Sequence, residues 1–201
     1  AGLAIGSGLW VAASVMIMGL ISALSPIIAQ LRGAKRLDEI PQQGQQGIFI
    51  AAAIGLLMTL ILWLAPLLLN AITLETEVRR VASNYLQILS LSALPVAFAS
   101  LFRNCSEAMG YTRPTMIIGV GAFLANIVLD YALVFGRWGL PEMGGVGCGI
   151  ATTVLNWVVL ILFIGVVNRH KGLRPLQLLR LPSSINATAI RHQLHIGLPI
   201  A

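Results

Sequence analysis

The sequence predicts an all-α, polytopic transmembrane bundle, and three observations predict it. Hydrophobic residues make up 57% of the 201 positions and charged residues only 10%, where a soluble domain carries about 25% charge. The mean hydropathy of +0.87 leaves too few polar groups to cover a water-soluble core. The apolar residues also fall into long runs, at about 3–30, 47–70, 81–109, 115–135 and 146–168. Each run can cross roughly 30 Å of hydrocarbon at about 1.5 Å per residue. Finally, the basic residues are unevenly shared between the connections, as a membrane orientation requires.

The first run, 3–30, is rich in Gly and Ala, which lets helices approach closely in lipid, and Pro26 predicts a bend in its last turns. The amide-rich Gln42, Gln43, Gln45 and Gln46 precede the second run and read as an interfacial helix start. Thr73 and Thr76 are candidate caps for the third run. That run contains Pro95, where a kink is expected, and ends on Arg103, Asn104 and Glu107. Arg103 and Glu107 are four apart and predict an ion pair along one helix face. The fourth run holds Asn126 and Asp130, also four apart. A carboxylate inside a span costs about 2.5–3.5 kcal/mol on insertion scales, so Asp130 is a functional candidate by default. A rigid Gly-rich loop carrying Trp138 follows, then the fifth run with Thr152, Thr153 and Asn156.

Alternating spans put Arg32, Lys35, Arg36, Arg113, Arg169, Lys171, Arg174, Arg180 and Arg191 on one side, nine of the 13 basic residues. The positive-inside rule makes that side cytoplasmic. Asp130 then belongs to the outer half of its span. Residues 1–168 form one set of spans, 169–190 a cytoplasmic linker held near anionic headgroups, and 191–201 the start of another transmembrane helix. Both termini read as cut, so an internal fragment is expected.

Several chemistries are excluded. No Gly-x-Ser-x-Gly, His-Glu-x-x-His or P-loop occurs, so the chain is expected to be no enzyme and no ATP-driven pump. Cys105 and Cys148 belong to opposite ends of their spans, too far apart for a disulfide. His170, His192 and His195 lack acidic or thiol neighbours and read as surface residues rather than metal ligands. No cofactor is expected. The net charge of +6 comes without a basic, aromatic-interleaved patch, so no nucleic-acid partner is expected. A kinked bundle with one intramembrane carboxylate fits an ion-coupled secondary transporter.

Several stretches in order resemble the multidrug and toxic compound extrusion (MATE) family, in its bacterial NorM-type branch. They are Ser25-Pro26 through Arg32-Gly33-Ala34, Arg103-Asn104-Cys105-Ser106-Glu107-Ala108-Met109-Gly110 through Pro114, Asn126 through Asp130 with Phe135-Gly136, Gly139 through Thr152, and Gly197-Leu198-Pro199-Ile200. The resemblance implies helices 2–6 of a first six-helix lobe lacking helix 1, with the start of helix 7, and a second lobe of the same polypeptide as partner. It implies a proton- or sodium-coupled antiporter in a bacterial inner membrane that exports cationic or amphipathic drugs. Asn126 and Asp130 would line the lobe's cavity, and Thr152, Thr153 and Asn156 would face it by analogy. A flippase or exporter of lipid-linked sugars or other solutes is the alternative, and an uncoupled scaffold or channel subunit a third reading.

Overall fold

Why the apolar runs become these particular helices is visible in a computed structural model, which describes residues 2–69, 75–139 and 141–170 together with Gly172, Leu173, Leu176 and Gln193. Among the described residues there is no strand. Six helices run through the continuously described residues: α1 (Gly2–Ser22), α2 (Leu24–Gly33), α3 (Ile40–Leu69), α4 (Thr76–Ala108), α5 (Thr112–Val134) and α6 (Gly144–Arg169). With α1 and α2 taken together, five segments are long and apolar enough to cross a membrane. The shortest, α5, has 23 residues and is about 35 Å long at 1.5 Å per residue.

The break between α1 and α2 falls at Ala23, three residues before Pro26. Pro26 has no N–H to offer the Ser22 carbonyl, and its ring crowds that carbonyl. The Ser22 hydroxyl donates to Gly19 O at 2.7 Å. The helix is interrupted at Ala23, whose own backbone stays in the helical region with φ −54° and ψ −26°. At Pro95 α4 continues without a break. Two predicted boundaries move outward. α3 starts at Ile40 rather than 47, because Pro41 suits a first turn and glutamines are good helix formers. α4 starts at Thr76 rather than 81, with Glu77 in its first turn and an exposed Glu77–Arg80 pair at 3.0 Å.

α4 is the hub. It packs along α1, α3 and α6, while α5 leans chiefly on α6. Small residues make this possible: Ala82, Ser90, Ser92, Ala93 and Ala97 of α4 are completely buried, and without bulk at those positions neighbouring backbones come close. Tyr85 is among the large residues that α4 buries beside them. A Cβ added at Gly6 of α1 would lie 2.7 Å from its Cδ1, and one added at Gly149 of α6 would lie 3.0 Å from its Cδ2. The ring is thus held edge to edge between two glycines. On the outside, Leu60, Trp63, Met116, Phe123, Trp157 and Ile161 are exposed. Apolar surface of that extent suits hydrocarbon rather than water.

Arg32, in the last turn of α2, donates from Nη1 to Ala108 O at 3.3 Å. It closes the C-terminus of α4, where carbonyls lack helical partners and a cation is favoured. Gly110 lies directly beneath it with φ +82°, and a Cβ there would come within 2.7 Å of Nη1. Arg32→Ala is expected to destabilise the bundle by about 0.3–1 kcal/mol. Thermal unfolding in detergent should show a lower midpoint with unchanged helix content.

Beyond α6, Leu173 and Leu176 are 0% and 1% exposed and join the main hydrophobic core. These two residues of the predicted linker therefore pack into protein rather than lie on headgroups. The Gln193 side chain is buried and donates from Nε2 to Gln43 O and Oε1, both at 3.1 Å. The rest of the predicted linker and next helix, including Arg174, Arg180, Arg191, His192 and His195, lies outside the described residues, as does Thr73. Cys105 and Cys148 are both free thiols.

Candidate functional site

A cavity of about 700 Å³ opens between α1, α4, α5 and α6, within the range of small-molecule sites. Helical spacing builds its walls. Trp10, Ser14 and Met18 are four apart on α1, and Thr152, Asn156, Val159 and Phe163 form one stripe on α6. α4 contributes Arg103 and Glu107 at its last turns, and α5 contributes only residues between 112 and 120. The cavity therefore lies in the half of the bundle that holds the α4–α5 turn. Its walls are mostly apolar, with charge confined to one end.

At that end Arg103 Nε donates to Glu107 Oε1 at 3.0 Å, with the side chains 47% and 31% exposed. The ion pair expected from the sequence is formed, and it faces the cavity. Thr115 is 9% exposed. Its Oγ1 is buried without a hydrogen-bond partner, although Thr115 lines the same cavity.

The five residues singled out from sequence fall in three places. Thr152 and Asn156 line the cavity. Thr153 is turned to α4 instead: Ser92 Oγ donates to it at 2.9 Å, and its own hydroxyl reaches Gly149 O at 2.8 Å and Ile88 O at 3.1 Å. It fastens α6 to α4. Asn126 and Asp130 are not among the lining residues. The reason is axial distance, since Asp130 is ten residues beyond Val120, or about 15 Å along the helix.

Asp130 has its own surroundings. The Cys148 side chain lies within hydrogen-bonding reach of both the Asp130 carboxylate and the Tyr85 hydroxyl. Asp130 Oδ1 itself is buried with no hydrogen-bond partner. The arrangement can hold a proton or admit a cation at the free oxygen, because a desolvated carboxylate needs one or the other. Sequence reasoning missed Tyr85, Cys148, Trp10 and Thr115. The Gly147-x-Gly149 pair around Cys148 was the available signal, because paired glycines mark a close helix approach.

Comparison with known proteins agrees with this architecture. The MatE family model matches residues 1–132. The chain is similar to the MATE transporter NorM-NG, solved in complex with R6G and a monobody, with a TM-score of 0.79 and 27% identity, covering 98% of this chain and 43% of that one. It is similar at a TM-score of 0.79 to the eukaryotic MATE transporter AtDTX14, with 20% identity over 98% of this chain and 43% of that one. An inward-facing multidrug resistance MATE family transporter of the MOP superfamily gives 0.79 at 23% identity, over 99% and 44% of the two chains. The chain thus spans less than half the length of these transporters.

Proposed function

Because this chain belongs to the MatE family, we propose that it forms part of an ion-coupled exporter of cationic or amphipathic small molecules. The fold is that of a multi-pass membrane transporter. The observation that carries the finer reading is the cavity, whose mostly apolar walls end in the carboxylate of the Arg103–Glu107 ion pair. Such a site takes up a hydrophobic body by burial and a positive charge by Coulombic attraction. The NorM-NG structure with R6G supports a small-molecule reading.

In this proposal the α2–α3 and α4–α5 connections are cytoplasmic, following the distribution of basic residues. The cavity then occupies the cytoplasmic half and Asp130 the outer half of a bacterial inner membrane. Asp130, helped by Asn126, is the coupling group for a proton or sodium ion. Substrate and ion occupy separate places, so exchange works by each biasing the bundle toward a different conformation. The remaining length of polypeptide seen in the relatives is the partner lobe.

The test is export of tetraphenylphosphonium from cells producing the protein. Export is expected to stop when proton and sodium gradients are collapsed together, and to resume with one of them restored. Export that continues with both gradients absent would overturn ion coupling.

A further inference from the structure

A second depression, of about 680 Å³, lies between the start of α5 and the last turns of α6. Ile161, Leu162, Gly165, Val166 and Arg169 of α6 line it, together with Pro114 of α5. At 3.6 residues per turn these α6 positions lie on a different face from Thr152, Asn156, Val159 and Phe163, which line the central cavity. Ile161 and Leu162 are exposed, so the groove is on the outside of the bundle. Gly165 keeps it open, since a Cβ added there would meet nothing within 4 Å. From Ile161 to Arg169 the α6 wall is about 12 Å long, enough for a stretch of acyl chain. One end of the groove is cationic. Arg169, in the last turn of α6, is exposed and pairs with no carboxylate among the described residues. His170 also lines that end. Its ring rests on Tyr111, with centroids 4.2 Å apart, and its Nδ1 accepts the Gly172 N–H at 3.3 Å. Nε2 therefore bears the ring proton and is a donor. No acidic residue is among the described lining residues.

We propose that this groove is a binding site for one anionic phospholipid, its phosphate held by Arg169 and the His170 Nε2–H and one acyl chain lying over Gly165. Walls and mouth together select that occupant. A free phosphate leaves the apolar walls bare, and a zwitterionic lipid brings an ammonium group beside Arg169. An anionic lipid matches both, with a charge-assisted bond from the guanidinium and attraction to a juxtamembrane cation. The orientation proposed above puts the site in the cytoplasmic leaflet, but the site depends on neither export nor Asp130. A lipid seated here touches the start of α5 and the end of α6 at once, and so clamps α5 to the helix on which it chiefly leans.

Native mass spectrometry of detergent-solubilised protein, purified with its whole polypeptide, measures the binding. The probes are phosphatidylglycerol and phosphatidylcholine with identical acyl chains, and inorganic phosphate is the competitor. One phosphatidylglycerol is expected to bind about tenfold more tightly than phosphatidylcholine, and phosphate should not displace it. Arg169→Gln should reduce that preference by about fivefold, equivalent to ~1 kcal/mol for one arginine near a headgroup. Gly165→Leu keeps every charge but fills the groove. It should weaken phosphatidylglycerol binding by about tenfold and leave the lipid-free unfolding midpoint unchanged. Lys35→Gln removes a cation of the α2–α3 connection that does not line the groove, and should change nothing. Wild-type protein without the preference overturns the site, as does displacement by phosphate, which marks a simple anion site. Equal losses in Arg169→Gln and Lys35→Gln mean attraction to surface charge at large, and wild-type binding in Gly165→Leu means headgroup contact without a groove; each overturns it. A lowered lipid-free midpoint in Gly165→Leu shows that other polypeptide already fills the groove, and overturns it too. Should Gly165→Leu fail to accumulate, the comparison of Arg169→Gln with Lys35→Gln decides. No readout here involves transport, so this site and the export reading fail or stand separately.

Discussion

Asp130→Asn is expected to give a correctly inserted protein that has lost gradient-driven export. The amide keeps the shape of the carboxyl group and its capacity to hydrogen-bond Cys148, but it cannot carry a charge or exchange a proton. The partnerless Oδ1 is the position from which a proton or cation would be released. Export driven by an imposed gradient should fall by about tenfold or more, the factor that a loss of ~1.4 kcal/mol in ion binding produces. Substrate binding at the cavity should be retained, because Asp130 does not line it. Transport rates in proteoliposomes under proton and sodium gradients check both halves. Wild-type rates with unchanged pH and sodium dependence would remove Asp130 from coupling.

Gly147→Ala should have a large effect on the fold. A Cβ there would lie 2.8 Å from Leu133 O and 2.9 Å from Leu133 C. Both are backbone atoms near the end of α5, so no side chain can rotate away. The same carbonyl already accepts the Met143 N–H at 3.1 Å, tying the α5–α6 connection. Since α5 leans chiefly on α6, separating them loosens α5 as a whole. Overpacking of this kind costs about 1–3 kcal/mol. Gly121→Ala is the control, because its added Cβ meets nothing within 4 Å, and it should leave stability unchanged or raised. The detergent unfolding midpoint should fall in Gly147→Ala and hold or rise in Gly121→Ala, and equal midpoints would refute the close-contact account.

Particular residues show why some of this was legible in the sequence. Hydropathy alone reveals five spans, because each must satisfy its own backbone hydrogen bonds in lipid and so is a long helix. Pro26 announces the break at Ala23, and the Arg103–Glu107 pair follows from helical spacing. These are local rules and they hold at those positions, whereas α4 runs through Pro95 unbroken. What depends on how helices rotate against one another was not legible. Thr152 and Thr153 are neighbours with the same chemistry, yet one lines the cavity and the other bonds to Ser92. Only the packing of α4 on α6 decides between them. Asn126 and Asp130 share a face, but their distance from the cavity reflects how far along α5 the cavity extends. Thr115 gave no sequence signal, since packing decides whether its hydroxyl finds a partner.

Tyr85 leads to a different kind of consequence. Its Cδ1 edge meets Gly6 and its Cδ2 edge meets Gly149, so three separate helices are dimensioned around one ring. In genetic terms these positions are a single trait. A methyl group gained at either glycine is harmful while the tyrosine stays, and a smaller residue at 85 leaves a void while both glycines stay. Each change becomes harmless only in the company of the other. A smaller side chain at 85 is therefore expected to be tolerated best when a methyl group is gained at Gly6 or Gly149 in the same protein, a coupling between positions far apart in the chain.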